Sequence, residues 1–176
     1  MIHSQLRLIA LEDAPAFLDL IEKNRARLQP YFPVSTIKIK DLASAEDYIT
    51  QKIRQAGERT LYCWVMEGLE SHQLIGVCFI KSIDWRVPKC ELAYYVGQKF
   101  EKKGLSSKMV REVLNYCFDE LKMEKVFLRI DPKNIGSQRV AIKNGFEQEG
   151  YLHNEFRTGT GELIDVLYFA KLREVK

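Results

Sequence analysis

The 176-residue chain has 27 Lys and Arg against 24 Asp and Glu, a net charge of +3, and 46% hydrophobic residues. Such a chain can bury a core without disulfides or a structural metal, and we expect one domain over residues 1–176. The weak charge predicts no nucleic-acid surface, and no stretch approaches the roughly 20 apolar residues of a membrane span. The first residues lack a secretory apolar region, so we expect a cytoplasmic protein that binds neither membranes nor nucleic acid.

The first half of the chain predicts a strand, two helices and three further strands. Polar and apolar residues alternate in the first strand, and the later strands are rich in aromatic and β-branched residues. Apolar residues at helical spacing mark the helices, the first with Pro15 in its first turn. The predicted strands are 5–9, 61–66, 74–83 and 90–96, and the predicted helices are about 12–28 and 41–56.

The second half predicts a helix, a strand, a short helix and two strands. The first helix follows Gly104 and runs to about Leu121, and the short helix ends at Asn144-Gly145 like a left-handed cap. The predicted strands are 126–130, 146–156 and 163–172, and the short helix is 135–143. An antiparallel run followed by a strand–helix–strand crossover predicts an α/β fold of the α+β type, with a mixed, mostly antiparallel sheet and helices on both faces.

The cysteines and histidines show no metal-binding pattern. The four cysteines lie in separate apolar segments without a CxxC pair, and the three histidines are scattered. We therefore interpret the cysteines as reduced, buried side chains and predict no metal site.

Residues 91–107 form a strand, a charged loop that ends at Gly104, and a helix. The start of a helix leaves backbone N–H groups unpaired and favours an anion, and Gly104 lets a ligand approach the backbone closely. Ser106 and Ser107 could cap the helix or bind a phosphate oxygen, and Lys102 and Lys103 would add positive charge. The alternative interpretation is an ordinary glycine-containing turn with solvated lysines.

A second polar segment, residues 131–146, follows a predicted buried strand. Asn134 and Ser137 lie where a short helix begins, so both can face a cleft at the end of the sheet. Alternatively, Asn134 is only the N-cap of that helix and Ser137 a residue of its first turn.

In this order and spacing, the two segments resemble the GNAT acetyltransferase superfamily over nearly the whole chain. Glu-Lys-Lys-Gly-Leu-Ser at 101–106 resembles its coenzyme A loop, and Asn134-x-x-Ser137 with Lys-Asn-Gly-Phe at 143–146 resembles its last core motif. The ribosomal-protein N-terminal acetyltransferase branch, the Rim type, is closer still. The residues that carry this closer resemblance are Leu6-Arg7-Leu8, Glu22-Lys-Asn-Arg25, Leu28 through Pro33, and Asp165 with Tyr168.

Four positions depart from the family pattern. Glu101 stands where Gln or Arg is commoner, Lys102 where Gly is common, Ser106 where Gly or Ala is usual, and Ala141 where many members have a Tyr acid. Because backbone N–H groups do most of the phosphate binding, we expect binding to survive, with Glu101 pointing away from the phosphates. The role of the missing Tyr then falls to Ser137 or to water.

The resemblance implies acetyl-CoA as co-substrate and direct attack of a neutral amine on its thioester. Glu91 is the candidate base, acting through water, and its alternative is an exposed carboxylate at a strand start. Asn134 would hold the pantetheine arm or a water, and Ser137 would protonate or hydrogen-bond the thiolate. A backbone N–H near Tyr95 or Val96 would hold the thioester oxygen. The candidate cofactor-binding residues are Tyr95, Val96, Lys102, Lys103, Gly104, Leu105, Ser106, Ser107, Asn134 and Lys143.

Three functions remain open from the sequence. The leading one is acetylation of the α-amine of a protein or peptide N-terminus. The others are acetylation of a small amine, such as a polyamine, amino sugar or amino-acid analogue, and a coenzyme A-binding module without turnover. Residues 24–40 and 153–163, which would shape the acceptor pocket, carry no decisive chemistry, and a homodimer is left open.

Overall fold

The computed structural model describes residues 2–174, and every predicted strand and helix is present with its bounds shifted by a few residues. The strands are β1 (Ser4–Leu8), β2 (Tyr62–Gly68), β3 (Leu74–Asp84), β4 (Lys89–Val96), β5 (Lys125–Ile130), β6 (Glu147–Arg157) and β7 (Leu163–Leu172). The α-helices are α1 (Ala14–Leu28), α2 (Pro33–Lys38), α3 (Leu42–Gly57), α4 (Leu105–Asp119) and α5 (Ile135–Lys143).

The sequence prediction lacks the short helix α2. Pro33 occupies its first turn, where the absence of an N–H is tolerated. Its buried residues are polar, Ser35 and Thr36, and the Ser35 hydroxyl lies 3.0 Å from that of Tyr48 on α3. A six-residue helix with a polar buried face has no apolar periodicity, so hydrophobic spacing could not indicate it.

The strands form one sheet in the order β1-β2-β3-β4-β5-β7-β6. All neighbours are antiparallel except β4 and β5, which confirms the mixed, mostly antiparallel prediction. The parallel pairing comprises Lys89 with Lys125, Cys90 with Val126, and Glu91 with Phe127. Beyond Glu91 the two strands separate, which leaves a gap near the middle of the sheet.

Each face of the sheet has its own hydrophobic core. On one face Phe17 of α1 and Ile49 of α3 pack with Val77 of β3 and Tyr95 of β4. On the other face α4 and α5 pack with the opposite side chains of the same strands, including Leu92 of β4. The prediction of helices on both faces is therefore confirmed. The four cysteines are buried and unpaired, as predicted.

Candidate active site

The gap between β4 and β5 opens into a cleft of about 900 Å³. Residues of both cores line it, such as Tyr95 from one face and Leu105 from the other, so the cleft passes through the sheet. The predicted site residues along it are Glu91, Tyr95, Val96, Lys102, Gly104, Leu105, Ser106, Ser107, Asn134, Ser137 and Lys143. Lys103 does not line the cleft, and its ammonium lies 5.8 Å from the centre of the Phe100 ring.

One end of the cleft, which we call the α4 end, is formed by the residues around the start of helix α4. Gly104 is the N-cap, with φ +76°, a left-handed conformation that favours glycine. No side chain caps the helix, so of the two roles considered for Ser106 and Ser107, capping is excluded and phosphate binding stays a prediction. The Ser107 hydroxyl instead lies 3.2 Å from the amide nitrogen of Asn144, which donates to it. The first N–H groups of α4 thus remain available to an anion.

The last residues of β4 direct backbone groups into the gap. The Gly97 N–H donates to the Ile75 carbonyl at 2.8 Å. In an antiparallel ladder alternate residues point their N–H and C=O groups to opposite sides, so those of Tyr94 and Val96 face away from β3. Of the two positions named for the thioester oxygen, this geometry favours the N–H of Val96.

Helix α1 contacts the α4 end through Arg27. Its guanidinium donates to the Val96 carbonyl at 2.5 Å and forms a 2.9 Å ion pair with Glu101. The Glu101 carboxylate is therefore directed toward α1. Spacing in the sequence could not indicate this contact, because Arg27 and Val96 are 69 residues apart.

Asn134 and Ser137 lie together at the start of α5. The Asn134 side-chain oxygen accepts a hydrogen bond from the Ser137 N–H at 3.0 Å, so Asn134 is the N-cap of this helix. Asn134 also lines the cleft, and its amide nitrogen takes no part in the capping hydrogen bond. Ala141 is fully buried in the core beneath α5.

Tyr94 is a cleft residue that the sequence prediction missed. Its hydroxyl donates to the Ser137 carbonyl at 3.4 Å, and burial raises the pKa of the phenol. The phenol therefore stays protonated near neutral pH, beside the predicted Ser137. Tyr94 lies two residues before Val96 and therefore on the same face of β4, so strand periodicity could have indicated it.

Glu91 lies at the point where β4 and β5 separate, and it is only 3% exposed. The alternative of an exposed strand-start carboxylate is therefore wrong. Arg129 donates to both its oxygens at 2.9 and 3.1 Å, Ser82 donates at 3.1 Å, and the Lys81 ammonium lies 3.3 Å away. Burial alone would lower the pKa of Arg129, but the carboxylates of Glu91 and Glu155 together raise it overall. Any proton transfer to Glu91 competes with these three partners.

The opposite end of the cleft, which we call the hairpin end, is lined by Tyr31, Phe32, Asp131 and residues of the β6–β7 hairpin such as Phe156 and Ile164. The Tyr31 hydroxyl donates to the Asp131 carboxylate at 2.7 Å, and burial, then Asp131, raises the pKa of Tyr31 to about 12. The Gly159 N–H donates to the Pro30 carbonyl at 2.9 Å. Residues 24–40 and 153–163, the two segments expected to shape an acceptor pocket, therefore contact each other at the hairpin end.

Two further findings concern metals and membranes. Among residues 2–174, no three His, Cys, Asp or Glu side chains cluster in a way that could hold a metal ion. Within the same range, no helix has the length and apolar character needed to cross a bilayer.

Comparison with known proteins gives a family match and several relatives. The family model described as Acetyltransferase (GNAT) domain matches residues 4–147. The uncharacterised N-acetyltransferase p20 of Bacillus licheniformis is 29% identical over 59% of this chain, a match that spans only 58% of that protein. The [ribosomal protein uS5]-alanine N-acetyltransferase of Escherichia coli is 25% identical over 83% of this chain and 76% of its own. The spermidine N(1)-acetyltransferase of Vibrio cholerae is 25% identical over 88% and 86%, respectively.

A solved structure shows the same fold. The ribosomal-protein-S5-alanine acetyltransferase of Vibrio fischeri superposes with a TM-score of 0.90, covering 98% of this chain and 94% of that one at 20% identity. At this identity the likeness establishes the fold, including the sheet and its helices.

Proposed function

Because the chain belongs to the acetyltransferase (GNAT) family, we propose that it acetylates the N-terminal α-amine of a protein or peptide, with acetyl-CoA as the acyl donor. The donor follows from the family, whose solved neighbours include complexes with coenzyme A and acetyl-CoA. The observation that carries the proposal is the cleft through the sheet. It has a helix start at one end and a separate bridged end, so donor and acceptor can meet at the gap between β4 and β5.

The α4 end suits the diphosphate of the donor. A Cβ placed on Gly104 would meet nothing within 4 Å, so the backbone there is open to a ligand. We assign the anion to the first N–H groups of α4, with Ser106 beside them and Lys102 and Lys143 supplying positive charge. Tyr95 and Leu105 form apolar walls of the same cleft.

The reacting centre lies between the two ends. Acetyl-CoA supplies an activated acyl group, and the Val96 N–H is the proposed donor to its carbonyl oxygen. Asn134 holds the donor arm or a water through its amide nitrogen. Ser137 hydrogen-bonds the departing thiolate, and the protonated phenol of Tyr94 lies next to it.

The acceptor must be a neutral amine when it attacks. An α-amine has a pKa of about 7.7–8.0 and a lysine amine one of about 10.4, so an α-amine needs far less help from a base. The proposed base is Glu91 acting through water, but Arg129, Lys81 and Ser82 already engage its carboxylate. Because these partners limit how readily Glu91 can accept a proton, the site favours the acceptor that needs less help, an α-amine. The uS5-alanine acetyltransferase relative supports the same choice.

A peptide that carries both a free N-terminus and one internal lysine tests the proposal. We expect the acetyl group on the α-amine, located by fragmentation of the product in a mass spectrometer. The matched control is the same peptide with a blocked N-terminus, which should be a poor substrate. Acetylation mainly on lysine would refute the α-amine assignment and leave acetyl transfer standing.

A small polyamine is the second candidate acceptor, because the spermidine acetyltransferase relative matches 88% of this chain, against 83% for the uS5-alanine acetyltransferase relative. Spermidine and spermine in the same assay decide between the two. Turnover confined to these amines, with none on peptides of varied N-terminal residue, would establish the small-amine function instead.

A further inference from the structure

Arg27 lies in the last turn of α1, and its guanidinium contacts three residues. One guanidinium nitrogen forms the ion pair with Glu101 at 2.9 Å. Another donates to the Val96 carbonyl at 2.5 Å and to the Asn24 side-chain oxygen at 3.2 Å. That Asn24 oxygen also accepts the Gln98 N–H at 2.8 Å. The end of α1 therefore holds the end of β4 and the loop that follows it.

The contact with Val96 compensates for the separation of the strands. Because β5 has separated from β4, the Val96 carbonyl faces the gap rather than a strand partner. A buried carbonyl without a donor is destabilising, and the guanidinium supplies one. In an extended strand the N–H and C=O of one residue point to the same side. A donor fixed on the Val96 carbonyl therefore also sets the direction of the Val96 N–H.

The contact with Glu101 concerns charge. Glu101 lies three residues before Gly104, in the loop that leads to the helix start. An unpaired carboxylate there would repel a diphosphate bound at the α4 end. The paired guanidinium cancels that charge and turns the carboxylate toward α1. This pairing accounts for how an acidic residue is accommodated at position 101.

We propose that Arg27 is a positioning residue for the acyl donor, with two separable effects. It neutralises Glu101, which permits tight binding of the donor diphosphate. It also fixes the Val96 peptide, which orients the N–H that faces the thioester oxygen. The inference rests on the donor site assigned under Proposed function, and the first effect acts on donor affinity whereas the second acts on turnover.

Three variants separate the two effects: Arg27→Met, Glu101→Gln, and both changes together. Met preserves an unbranched aliphatic stem but removes the charge. Calorimetry with coenzyme A should show about tenfold weaker binding for Arg27→Met, and the loss should shrink at high salt because salt screens the repulsion. Glu101→Gln alone should bind at least as tightly as the wild type. The double variant should recover wild-type affinity within about twofold, because no unpaired carboxylate remains.

Turnover of the double variant should stay about tenfold below that of the wild type, since the Val96 carbonyl still lacks its donor. The matched control is Lys23→Met, which removes a charge from the same helix, where Lys23 pairs with the exposed Asp19. It should change neither quantity. If Arg27→Met does not fold, Arg27→Lys replaces it. A single ammonium can neutralise Glu101 but cannot reproduce the fork of the guanidinium, whose second nitrogen donates to Val96, so affinity should persist and turnover should fall.

Two results would overturn the inference. One is unchanged coenzyme A affinity in a folded Arg27→Met enzyme, and the other is a double variant as weak in binding as the single one. Wild-type protein that fails to bind coenzyme A at all would instead refute the donor site itself. The two failures are therefore distinguishable.

Discussion

The two ends of the cleft are built differently. The α4 end consists mainly of residues close together in the sequence, between Val96 and Ser107, and it offers the backbone N–H groups that follow Gly104. The hairpin end brings together distant segments, and side chains such as Tyr31 and Asp131, 100 residues apart, contact each other there. Backbone groups at a helix start bind one constant feature, the diphosphate, whatever the neighbouring side chains. An end formed by side chains can instead vary with the acceptor.

This comparison predicts that substitutions at the α4 end change donor affinity and that substitutions at the hairpin end change acceptor affinity. The largest effect is expected for Gly104→Val. A β-branched residue is strained at φ +76°, and its side chain would occupy the open space next to the helix start. We expect coenzyme A affinity to fall by about 100-fold, measured by calorimetry.

The matched control for this prediction is Gly161→Val in the β6–β7 turn. Gly161 has φ +91° and open space around its Cβ position, so the backbone strain is comparable. The control should lose stability but not coenzyme A affinity. Equal loss of affinity in both variants would show that strain alone, rather than the donor site, is responsible.

The second prediction concerns the centre between the two ends. Ser137→Ala should lower turnover by about 10²-fold, with a smaller change in the KM of acetyl-CoA, where chemistry limits the rate. Steady-state kinetics measure both quantities. Tyr94→Phe is the companion variant, because it removes the neighbouring phenol donor. A larger loss of turnover for Tyr94→Phe would transfer the acid role from Ser137 to Tyr94, and wild-type turnover in both would transfer it to water.

The difference between the ends also explains what the sequence could predict. Gly104, the helix after it and the Asn134–Ser137 pair lie in short consecutive segments, so turn chemistry and helix patterning indicate them directly. The burial of Glu91 could not be predicted in this way. Its partner Arg129 is 38 residues away on β5, and their contact depends on where two strands separate. Local patterns do not specify such a separation.

The third prediction tests the hairpin end by moving it. A Cβ at Gly159 would overlap the Gln29 carbonyl oxygen and lie 3.0 Å from the Pro33 Cβ, so Gly159→Ala must push the turn away from residues 29–33. We expect the acceptor KM to rise by about tenfold while coenzyme A affinity stays unchanged.

Gly57→Ala at the end of α3 is the control, because its Cβ would meet nothing within 4 Å. It should leave both constants at their wild-type values. A Gly159→Ala enzyme with wild-type acceptor kinetics would show that acceptors do not reach the bridged end.

The smallest effect is expected for Tyr31→Phe, which removes the hydrogen bond to Asp131 and keeps the ring. The acceptor KM should rise by roughly threefold, the size of one partly exposed hydrogen bond. Tyr151→Phe is the matched control, since it breaks a similar 2.8 Å bond to Asp165 outside the cleft. It should leave the acceptor KM unchanged.

The pH dependence sharpens this last test. A phenol with a pKa of about 12 stays protonated and donates throughout the range near neutrality, so Tyr31 cannot set the pH profile. The rate on a peptide should instead rise as the α-ammonium loses its proton, with a midpoint near about pH 8. Wild type and Tyr31→Phe should therefore give profiles of the same shape at different acceptor KM. A shifted midpoint in Tyr31→Phe would mean that the Tyr31–Asp131 contact acts on the ionisation of the bound amine. The hairpin end would then take part in activating the acceptor as well as in binding it.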